Sequence, residues 1–334
     1  MKVSLLIPCL LLLLSCQQQP SLPEQESKKT NPTETSSTAL VLLGTLQDAG
    51  SPHIGCDRSC CAKLFDTPDP NRQVIALGLQ DGANEKKYLF EASPDISRQL
   101  KTLKQFGQPS DSEMPDGIFL THAHIGHYSG LMYLGKEARD AKEVPVYAMP
   151  RMRKFLTNNG PWSQLVSRRN IVLASLEHET PVVLNPDPRS KLTVTPFLVP
   201  HRDEYSETVG YRIQGPNKSA LFIPDIDKWE FWEQDINRVL ETVDYAFLDA
   251  TFYSGKELNN RDMAEIPHPF ILESVARLDT LSLPTGRQAR KAKQKIIFIH
   301  FNHTNPVLDP ESPEAKHVRE LGFQLGRIGQ VFEL

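Results

Sequence analysis

The chain has 334 residues, of which 39% are hydrophobic and 23% charged, and its formal net charge is −4. This composition is ordinary for a folded globular protein, and the length allows one large domain or two modest ones. A negative net charge gives no electrostatic basis for nucleic-acid binding, which favours a basic surface, so we expect no nucleic-acid partner.

The first residues predict an exported protein. Lys2 is followed by an apolar run over 5–14, which is too short to span a bilayer stably but suits the hydrophobic region of a signal peptide. The run ends in Leu13-Leu-Ser-Cys16, which resembles the lipobox of bacterial lipoproteins. A plain signal peptide is the alternative. The resemblance implies cleavage before Cys16, lipidation of its thiol, and a lipid anchor to the membrane on the extracytoplasmic side of the cell envelope.

Residues 17–38 are rich in Gln, Ser, Thr, Glu, Lys and Pro and contain almost no large apolar side chains. Such a segment cannot bury enough surface to offset the entropy lost on ordering, so it predicts a flexible tether. The sequence therefore predicts a signal peptide over 1–16, a tether over 17–38, and one folded domain over 39–334.

A strand predicted over 40–44 leads into a loop that concentrates metal-ligating side chains. His53, Cys56, Cys60 and Cys61 follow one another closely and could supply four tetrahedral ligands to a structural zinc ion. In an exported protein a disulfide is an alternative, although adjacent cysteines rarely bridge and three thiols leave one unpaired. Three free thiols are the remaining alternative.

Two further strands, over 74–79 and 87–91, are predicted around an Asp81-Gly82 turn, which is a hairpin signal. Asp95 comes next and has two possible roles. It could orient a ligating imidazole from behind the metal, or it could cap a helix predicted over 96–106, because Asp is common at helix starts.

The most informative stretch is Thr121-His-Ala-His-Ile-Gly-His127, which follows an apolar run over 117–120. We predict that a buried strand ends at Thr121 and that a helix follows over 128–139. His122 and His124 are two residues apart, a spacing that places side chains on one face of an extended chain. Three neutral imidazoles at such a turn suit zinc or iron, and a histidine-rich loop without metal is the alternative.

Later predicted strands end in the same kinds of side chain. The strand-terminal residues are His201, Asp225 and His300, and Asp249 lies within a further strand predicted over 245–252. Taken alone, His201 could be a surface residue and Asp225 a helix cap. His268 and His303 lie in nearby polar segments, where they could donate protons or simply be exposed. Recurring strand-terminal ligands predict one metal centre at the edge of stacked sheets.

The histidine cluster resembles the His-x-His-x-Asp-His signature of the metallo-β-lactamase superfamily, with Gly126 at the Asp position. Together with the segment His300-Phe-Asn-His-Thr-Asn-Pro306, this departure makes the chain most similar to the PQQ-biosynthesis protein B branch. It is also similar to the phosphodiesterase and tRNase Z branches. The resemblance covers residues 40–334 and implies an α/β fold, the αββα sandwich of two mixed sheets flanked by helices.

The resemblance also implies the ligand sets. The first metal site would consist of His122, His124 and His201, and the second of His127, Asp225 and His300. Asp249 would lie behind the ligands, and the cysteine-rich loop would hold a structural metal. Because Gly126 removes a carboxylate, we expect the second ion to bind more weakly. The expected catalytic cofactor is one or two zinc ions, with iron or manganese as alternatives.

Two enzyme activities are compatible with this centre. One is hydrolysis of a phosphodiester or another small ester, in which His268 or His303 protonates the leaving group. The PQQ-biosynthesis branch implies instead iron-dependent oxidation of a peptide-derived intermediate, but its precursor peptide would be made inside the cell. We therefore expect a hydrolase of a small-molecule ester. A non-catalytic metal-binding surface lipoprotein is the third interpretation.

Overall fold

The computed structural model describes residues 37–106, 112–258, 266–279 and 293–334. The predicted signal peptide, the lipidation candidate Cys16 and the predicted tether up to residue 36 lie outside the described residues. Within the described ranges, no helix is both long and apolar enough to cross a bilayer.

The first sheet has seven strands and mixed polarity. Its strands are β1 (Ala39–Gly44), β2 (Ala76–Asp81), β3 (Lys86–Phe90), β4 (Gly117–Phe119), β5 (Val144–Ala148), β6 (Ile171–Ser175) and β14 (Val331–Glu333). They pair in the order β14-β1-β2-β3-β4-β5-β6. The pairs from β14 to β3 are antiparallel, and those from β3 to β6 are parallel.

The second sheet also has seven strands. They are β7 (Val182–Asn185), β8 (Leu192–Leu198), β9 (Val209–Gln214), β10 (Ser219–Ile223), β11 (Tyr245–Asp249), β12 (Ile296–Ile299) and β13 (Gln324–Leu325). Their order is β13-β12-β11-β10-β9-β8-β7. The pairs from β7 to β10 are antiparallel, and those from β10 to β13 are parallel. All residues of β10 and β12 are buried, as expected for central strands covered on both faces.

Eight α-helices lie in the described ranges. They are α1 (Ala62–Asp66), α2 (Ile96–Gln105), α3 (Ile125–Tyr128), α4 (Pro150–Asn158), α5 (Trp162–Ser167), α6 (Ile236–Glu241), α7 (Ile271–Asp279) and α8 (Pro313–Glu320). Four 3-10 segments occupy Ser129–Leu134, Trp229–Phe231, Gly255–Leu258 and Pro306–Leu308.

The apolar residues form three layers, which confirm the predicted αββα sandwich. Along β1, Leu40 and Leu42 point between the two sheets, whereas Val41 and Leu43 point toward the helices that cover the first sheet. This division follows from the two-residue period of a strand. Helices α2 and α4 cover the first sheet, and α6, α7 and α8 cover the second.

An aromatic cluster joins the two sheets. Phe90 of β3 stacks on Phe119 of β4 at 5.0 Å and meets Phe222 of β10 edge-on at 5.9 Å. All three side chains are fully buried. Burying an aromatic side chain of this size contributes about 1.5–3 kcal/mol, so the cluster fixes how the sheets face each other.

The segment after the histidine cluster differs from the predicted helix over 128–139. It forms only the short α3 and the 3-10 segment that follows it. Gly130 explains the difference, because its N–H donates to Ala92 O (2.8 Å) and a Cβ there would lie 2.0 Å from Ser93 O. This turn is therefore held against the loop after β3, and a regular helix does not continue. The strand β6 has no counterpart among the predicted strands.

The parallel strands bring the candidate ligands to one edge. Asp225 follows β10 by two residues, Asp249 ends β11, and His300 follows β12 directly. Because β10, β11 and β12 are parallel, their carboxyl ends meet at the same edge of the second sheet. The loop that follows β4 of the first sheet carries His122 to the same place, as its contact with Asp225 shows.

Candidate metal centre

Four side chains from three loops form the first candidate metal site: His122, His124, His201 and Asp225. His122 Nε2 lies 2.8 Å from His124 Nδ1, which in turn lies 3.3 Å from His201 Nε2. Asp225 Oδ2 lies 3.3 Å from His122 Nε2 and 3.1 Å from His201 Nε2. Nitrogen and oxygen ligands about 2.0–2.1 Å from a tetrahedral ion lie roughly 3.3 Å apart, so this set fits a metal ion.

A second set shares the same carboxylate. Asp48, His127, Asp225 and His300 offer ligand atoms that all lie within 4.8 Å of one another. His127 Nε2 lies 3.3 Å from Asp48 Oδ1 and 3.8 Å from Asp225 Oδ2. Asp225 is therefore placed between two adjoining ligand sets, where one carboxylate can serve both.

Asp48 adds a further carboxylate to the second set, which was expected to lack the one missing at position 126. It lies in the loop after β1, its side chain is only 13% exposed, and its Oδ1 accepts a hydrogen bond from Gly126 N (3.0 Å). Sequence reasoning missed Asp48 because nothing in the local pattern Gln47-Asp-Ala-Gly50 indicates a ligand. Gly126 was the one indication in the sequence, because a metal motif that lacks its carboxylate predicts a carboxylate ligand from another part of the chain.

Several buried atoms at this centre have no hydrogen-bond partner among the described residues. They are His124 Nε2, both ring nitrogens of His127, both carboxylate oxygens of Asp225, and His300 Nε2. An unsatisfied buried polar atom costs about 1–3 kcal/mol, and such atoms are rare in folded proteins. His127 Nε2, Asp225 Oδ2 and His300 Nε2 face the shared centre, where a metal ion would give them a partner, whereas His124 Nε2 lies near Glu204 and His127 Nδ1 near Glu91.

The ring nitrogens that face away from the candidate ions have partners of their own. His122 Nδ1 lies 2.8 Å from Thr121 Oγ1, His201 Nδ1 lies 2.9 Å from Asp227 Oδ1, and His300 Nδ1 lies 2.9 Å from Thr251 Oγ1. Such contacts fix the orientation of each imidazole and leave its other nitrogen free for a metal.

Buried carboxylates support the ligands from behind. Glu91, which is fully buried, lies 3.1 Å from His127 Nδ1. Asp249 accepts hydrogen bonds from Thr251 N and Ile226 N, and Thr251 in turn contacts His300. Asp249 thus lies behind the ligands, where the resemblance placed it, whereas the sequence did not indicate a role for Glu91.

Asp95 is the exception among the predicted supporting residues. Its Oδ2 accepts a hydrogen bond from Val74 N (2.8 Å), and no described contact joins it to a histidine. It occupies the N-cap position of α2, as one of its two predicted roles requires, but its side chain makes no capping hydrogen bond. The carboxylate that contacts His127 comes instead from Glu91, at the end of β3.

Two of the seven non-glycine residues with positive φ in the described ranges lie at the centre. Glu91 has φ +73° and His300 has φ +65°, in the left-handed region that non-glycine residues rarely adopt. Each such residue costs about 1–3 kcal/mol and persists only where surrounding structure holds it. Both follow a buried strand directly, and both turn a side chain into the metal centre.

Burial and neighbouring charges shift the pKa values of the residues at this centre in different directions. Burial would raise the pKa of Asp225, but the surrounding imidazoles, chiefly His201, hold it well below its usual range. Burial would lower the pKa of His201, but Asp225 outweighs it and raises that pKa to about 9. Burial and the charge of His127 lower the pKa of His122 well below its usual value, so His122 is a neutral imidazole, the form that binds metal.

His268 contacts the centre from its open side. Its Nδ1 lies 2.9 Å from Asp249 Oδ2 and 3.1 Å from Asp225 Oδ1. It also lines a cavity of about 520 Å³ together with Arg58, Arg202, Phe252 and Asn302. A larger cavity of about 910 Å³ lies elsewhere, and none of its described lining residues is a histidine or cysteine. The smaller cavity therefore adjoins the candidate metal centre through His268, and no residue of the two ligand sets is among its described lining residues.

The cysteine loop forms a separate cluster, and its fourth member is His303. Cys60 Sγ lies 3.8 Å from Cys56 Sγ and 3.9 Å from Cys61 Sγ. Sulfur ligands about 2.3 Å from a tetrahedral zinc ion lie roughly 3.8 Å apart, so the spacing fits a metal. The same spacing excludes a disulfide, and all three cysteines are free.

The positions of two histidines therefore differ from their predicted roles. His53, predicted as the fourth ligand, stacks its ring on His303 at 4.3 Å, and its Nδ1 lies 2.7 Å from Ile54 O. His303, predicted as a proton donor, faces the thiols instead. Burial, helped by the charges of His53 and Arg58, lowers the pKa of His303 to about 4, so it is unprotonated at neutral pH and unsuited to donating a proton.

We expect His303→Ala to remove one equivalent of metal from the cysteine loop, whereas His53→Ala retains it. Removing His303 leaves only three ligands for a structural ion that normally has four. Elemental analysis after dialysis measures both variants, and the ions at the histidine centre should be unchanged in each. Loss of the loop metal in His53→Ala but not in His303→Ala would reverse the assignment.

The family model for the beta-lactamase superfamily domain matches residues 86–301, and this range spans most of the ligand-bearing strands. The chain therefore belongs to this superfamily, in agreement with its αββα sandwich and its histidine-rich centre.

Within the superfamily, the chain is similar to proteins named coenzyme PQQ synthesis protein B. The relative from Xanthomonas euvesicatoria pv. vesicatoria is 25% identical over 318 residues, covering 87% of this chain and 98% of the relative. The relative from Cupriavidus necator is 25% identical over 326 residues, covering 89% and 100%. The structure of zinc-bound PqqB from Methylobacterium extorquens is similar in fold, with a TM-score of 0.70 and 22% identity, covering 89% of this chain and 100% of that one.

Proposed function

We propose that this protein is a metal-dependent hydrolase that acts on a phosphodiester or another small ester, with zinc as its metal. The observation that carries the proposal is the set of unpartnered buried atoms around the shared carboxylate of Asp225. When bound there, the metal supplies Lewis acidity and lowers the pKa of water toward neutrality, which are the two effects that ester hydrolysis needs.

His268 is the proposed proton donor to the leaving group. Burial opposes its protonation, but Asp249 and Asp225 outweigh burial and raise the pKa of His268 well above its usual value. Its Nδ1 faces these two carboxylates, so Nε2 is the atom available to donate a proton into the cavity. The two carboxylates also keep the ring oriented while the proton is transferred.

The cavity favours an anionic substrate. Arg58 and Arg202 both line it, beside His268. Guanidinium groups bind phosphate oxygens through charge-assisted hydrogen bonds, and they retain their charge at any physiological pH. A phosphodiester therefore suits this cavity better than a neutral ester.

The second candidate is a role like that of the named relatives, because similarity to coenzyme PQQ synthesis protein B extends over 98% of one such relative. That role would be an oxidation of a peptide-derived intermediate with iron at the same centre. The predicted lipid anchor at Cys16 argues against it, since we propose that the protein works at the extracytoplasmic side of the envelope.

The test is hydrolysis of bis(4-nitrophenyl) phosphate by the full-length protein loaded with zinc. We expect release of 4-nitrophenol that chelation abolishes and added zinc restores, without oxygen uptake. Fully metal-loaded protein that hydrolyses neither this diester nor 4-nitrophenyl acetate would overturn the proposal. Oxygen consumption by the iron-loaded protein would favour the second candidate, and stable metal binding without either activity would favour the non-catalytic interpretation.

A further inference from the structure

We propose that Asp48 is the carboxylate ligand of the second metal site, and that it replaces the acidic side chain missing at position 126. The inference rests on the metal-binding part of the proposed function and specifies which residue completes the second site. The loop after β1 therefore supplies the carboxylate that the superfamily motif places in the turn after β4.

The structure leaves no room for a side chain at position 126 beside Asp48. A Cβ built on Gly126 would lie 2.3 Å from Asp48 Oδ1 and 2.5 Å from Asp48 Cα. Distances below 3.0 Å do not occur between real side chains, and here one of the contacts is with backbone. Gly126 does not need a positive φ, because the residues with that conformation do not include it. Lack of space, and not backbone conformation, is the reason for glycine.

The loop that carries Asp48 is held against the strand end that carries His300. Phe301 N donates to Thr45 O (2.8 Å), and Gln47 N donates to Phe301 O (2.9 Å). Both backbone hydrogen bonds are made by Phe301, which follows His300 in sequence, and one of them is made by Gln47, which precedes Asp48. Two ligands of the same set are thereby kept in register, although they are far apart in sequence.

A purely structural role for Asp48 makes a different prediction. Its Oδ1 accepts from Gly126 N at the start of α3, which an uncharged acceptor could do equally well. Its distance of 3.3 Å from His127 Nε2 does not by itself decide between the two roles, because both groups could simply pair. Asp48→Asn keeps the shape and the acceptor but removes the charge that a divalent ion requires.

The experiment measures zinc stoichiometry and affinity by isothermal titration of the chelated full-length protein. The variants are Asp48→Asn, Gly126→Asp, and the double exchange Asp48→Gly/Gly126→Asp, with the exposed Asp66→Asn as the matched control. We expect Asp48→Asn to weaken the second ion of the centre by at least about a hundred-fold, since even residues behind the ligands give 10–100-fold effects. The first ion and the cysteine-loop ion should remain.

Gly126→Asp and the double exchange test the lack of space at position 126. Gly126→Asp alone should lower the melting temperature and should not tighten the second ion, because the two side chains occupy the same space. Asp48→Gly/Gly126→Asp should not restore the second ion either, because a Cβ at position 126 would still lie 2.5 Å from the Cα of residue 48. Unchanged second-ion affinity in a cooperatively melting Asp48→Asn protein would overturn this inference alone. A parent protein that binds no metal at the histidine centre would overturn the proposed function as well.

Discussion

Replacing His122 and His124 together with alanine is expected to leave a folded protein without the first ion of the histidine centre and without measurable diesterase activity. These two residues supply two of the three nitrogen ligands in the first set, so His201 and Asp225 remain as an incomplete site. A metal ion contributes several kcal/mol to hydrolysis, which corresponds to a rate loss of roughly a thousand-fold or more. Elemental analysis and bis(4-nitrophenyl) phosphate turnover measure the two effects.

The matched control is the double variant His178→Ala/His317→Ala. Both of these histidines are exposed, and neither belongs to a candidate metal cluster of the described residues. The control should keep the parent metal content and activity. Because His122 is buried, circular dichroism of the His122→Ala/His124→Ala variant is needed to show that it remains folded. Unchanged metal stoichiometry in that folded variant would contradict the first ligand set.

The sequence could predict the ligands that end strands, because a buried apolar run followed by His or Asp is visible locally. His300 after β12 and Asp225 after β10 are of this kind. Asp48 and Glu91 follow strands as well, but each is a single carboxylate among many, and its contact with His127 arises only when distant loops meet. A lone acidic residue therefore carries no signal until the fold is known.

The same limit applies to the cysteine loop. The three thiols are adjacent in sequence, so their grouping was predictable. The fourth member was not, because His53 lies beside the thiols in sequence whereas His303 reaches them from the segment after β12. Proximity in sequence favoured His53, but the folded chain stacks its ring on His303 and leaves His303 facing the sulfur atoms.

Alternating and continuous apolar runs predicted most of the strands, and the resemblance to the metallo-β-lactamase superfamily predicted the αββα sandwich. What could not be predicted was the end of regular helix after His127. That depends on Gly130 lying against Ala92 and Ser93, which are distant in sequence and supply backbone oxygen atoms at close range. The helical periodicity of the apolar residues continues through this glycine, so the sequence by itself predicts a longer helix.

Asp225→Asn is expected to have the widest effect of any single substitution, because this carboxylate belongs to both ligand sets and also contacts His268. Asparagine keeps the size but loses the charge, so the second ion should be lost and the first should bind at least about a hundred-fold more weakly. Diesterase activity should fall by roughly a thousand-fold, as expected when the catalytic metal is lost. Isothermal titration and steady-state kinetics measure these changes.

The chelated protein offers a second measurement of Asp225. The folded-state pKa of His201 is raised to about 9, above the ordinary value of 6.5. A raised histidine pKa contributes stability that is fully present below about pH 6.5 and is lost as the pH rises through about 9. The free energy of unfolding of the parent should therefore fall between these pH values. In Asp225→Asn the fall should be smaller, because the main attraction that raises this pKa is gone.

Asp227→Asn is the matched control for this prediction, since it makes the same chemical change two residues away. The side chain of Asp227 contacts the outer ring nitrogen of His201, Nδ1, at 2.9 Å, and it is 24% exposed. Its loss should leave both ions bound and weaken the first by about 10–100-fold, the usual effect of a residue that orients a ligand. If Asp225→Asn and Asp227→Asn had equal effects on metal binding, Asp225 would be a supporting residue and not a ligand shared by two ions. Retention of both ions by Asp225→Asn would exclude the shared-carboxylate arrangement outright.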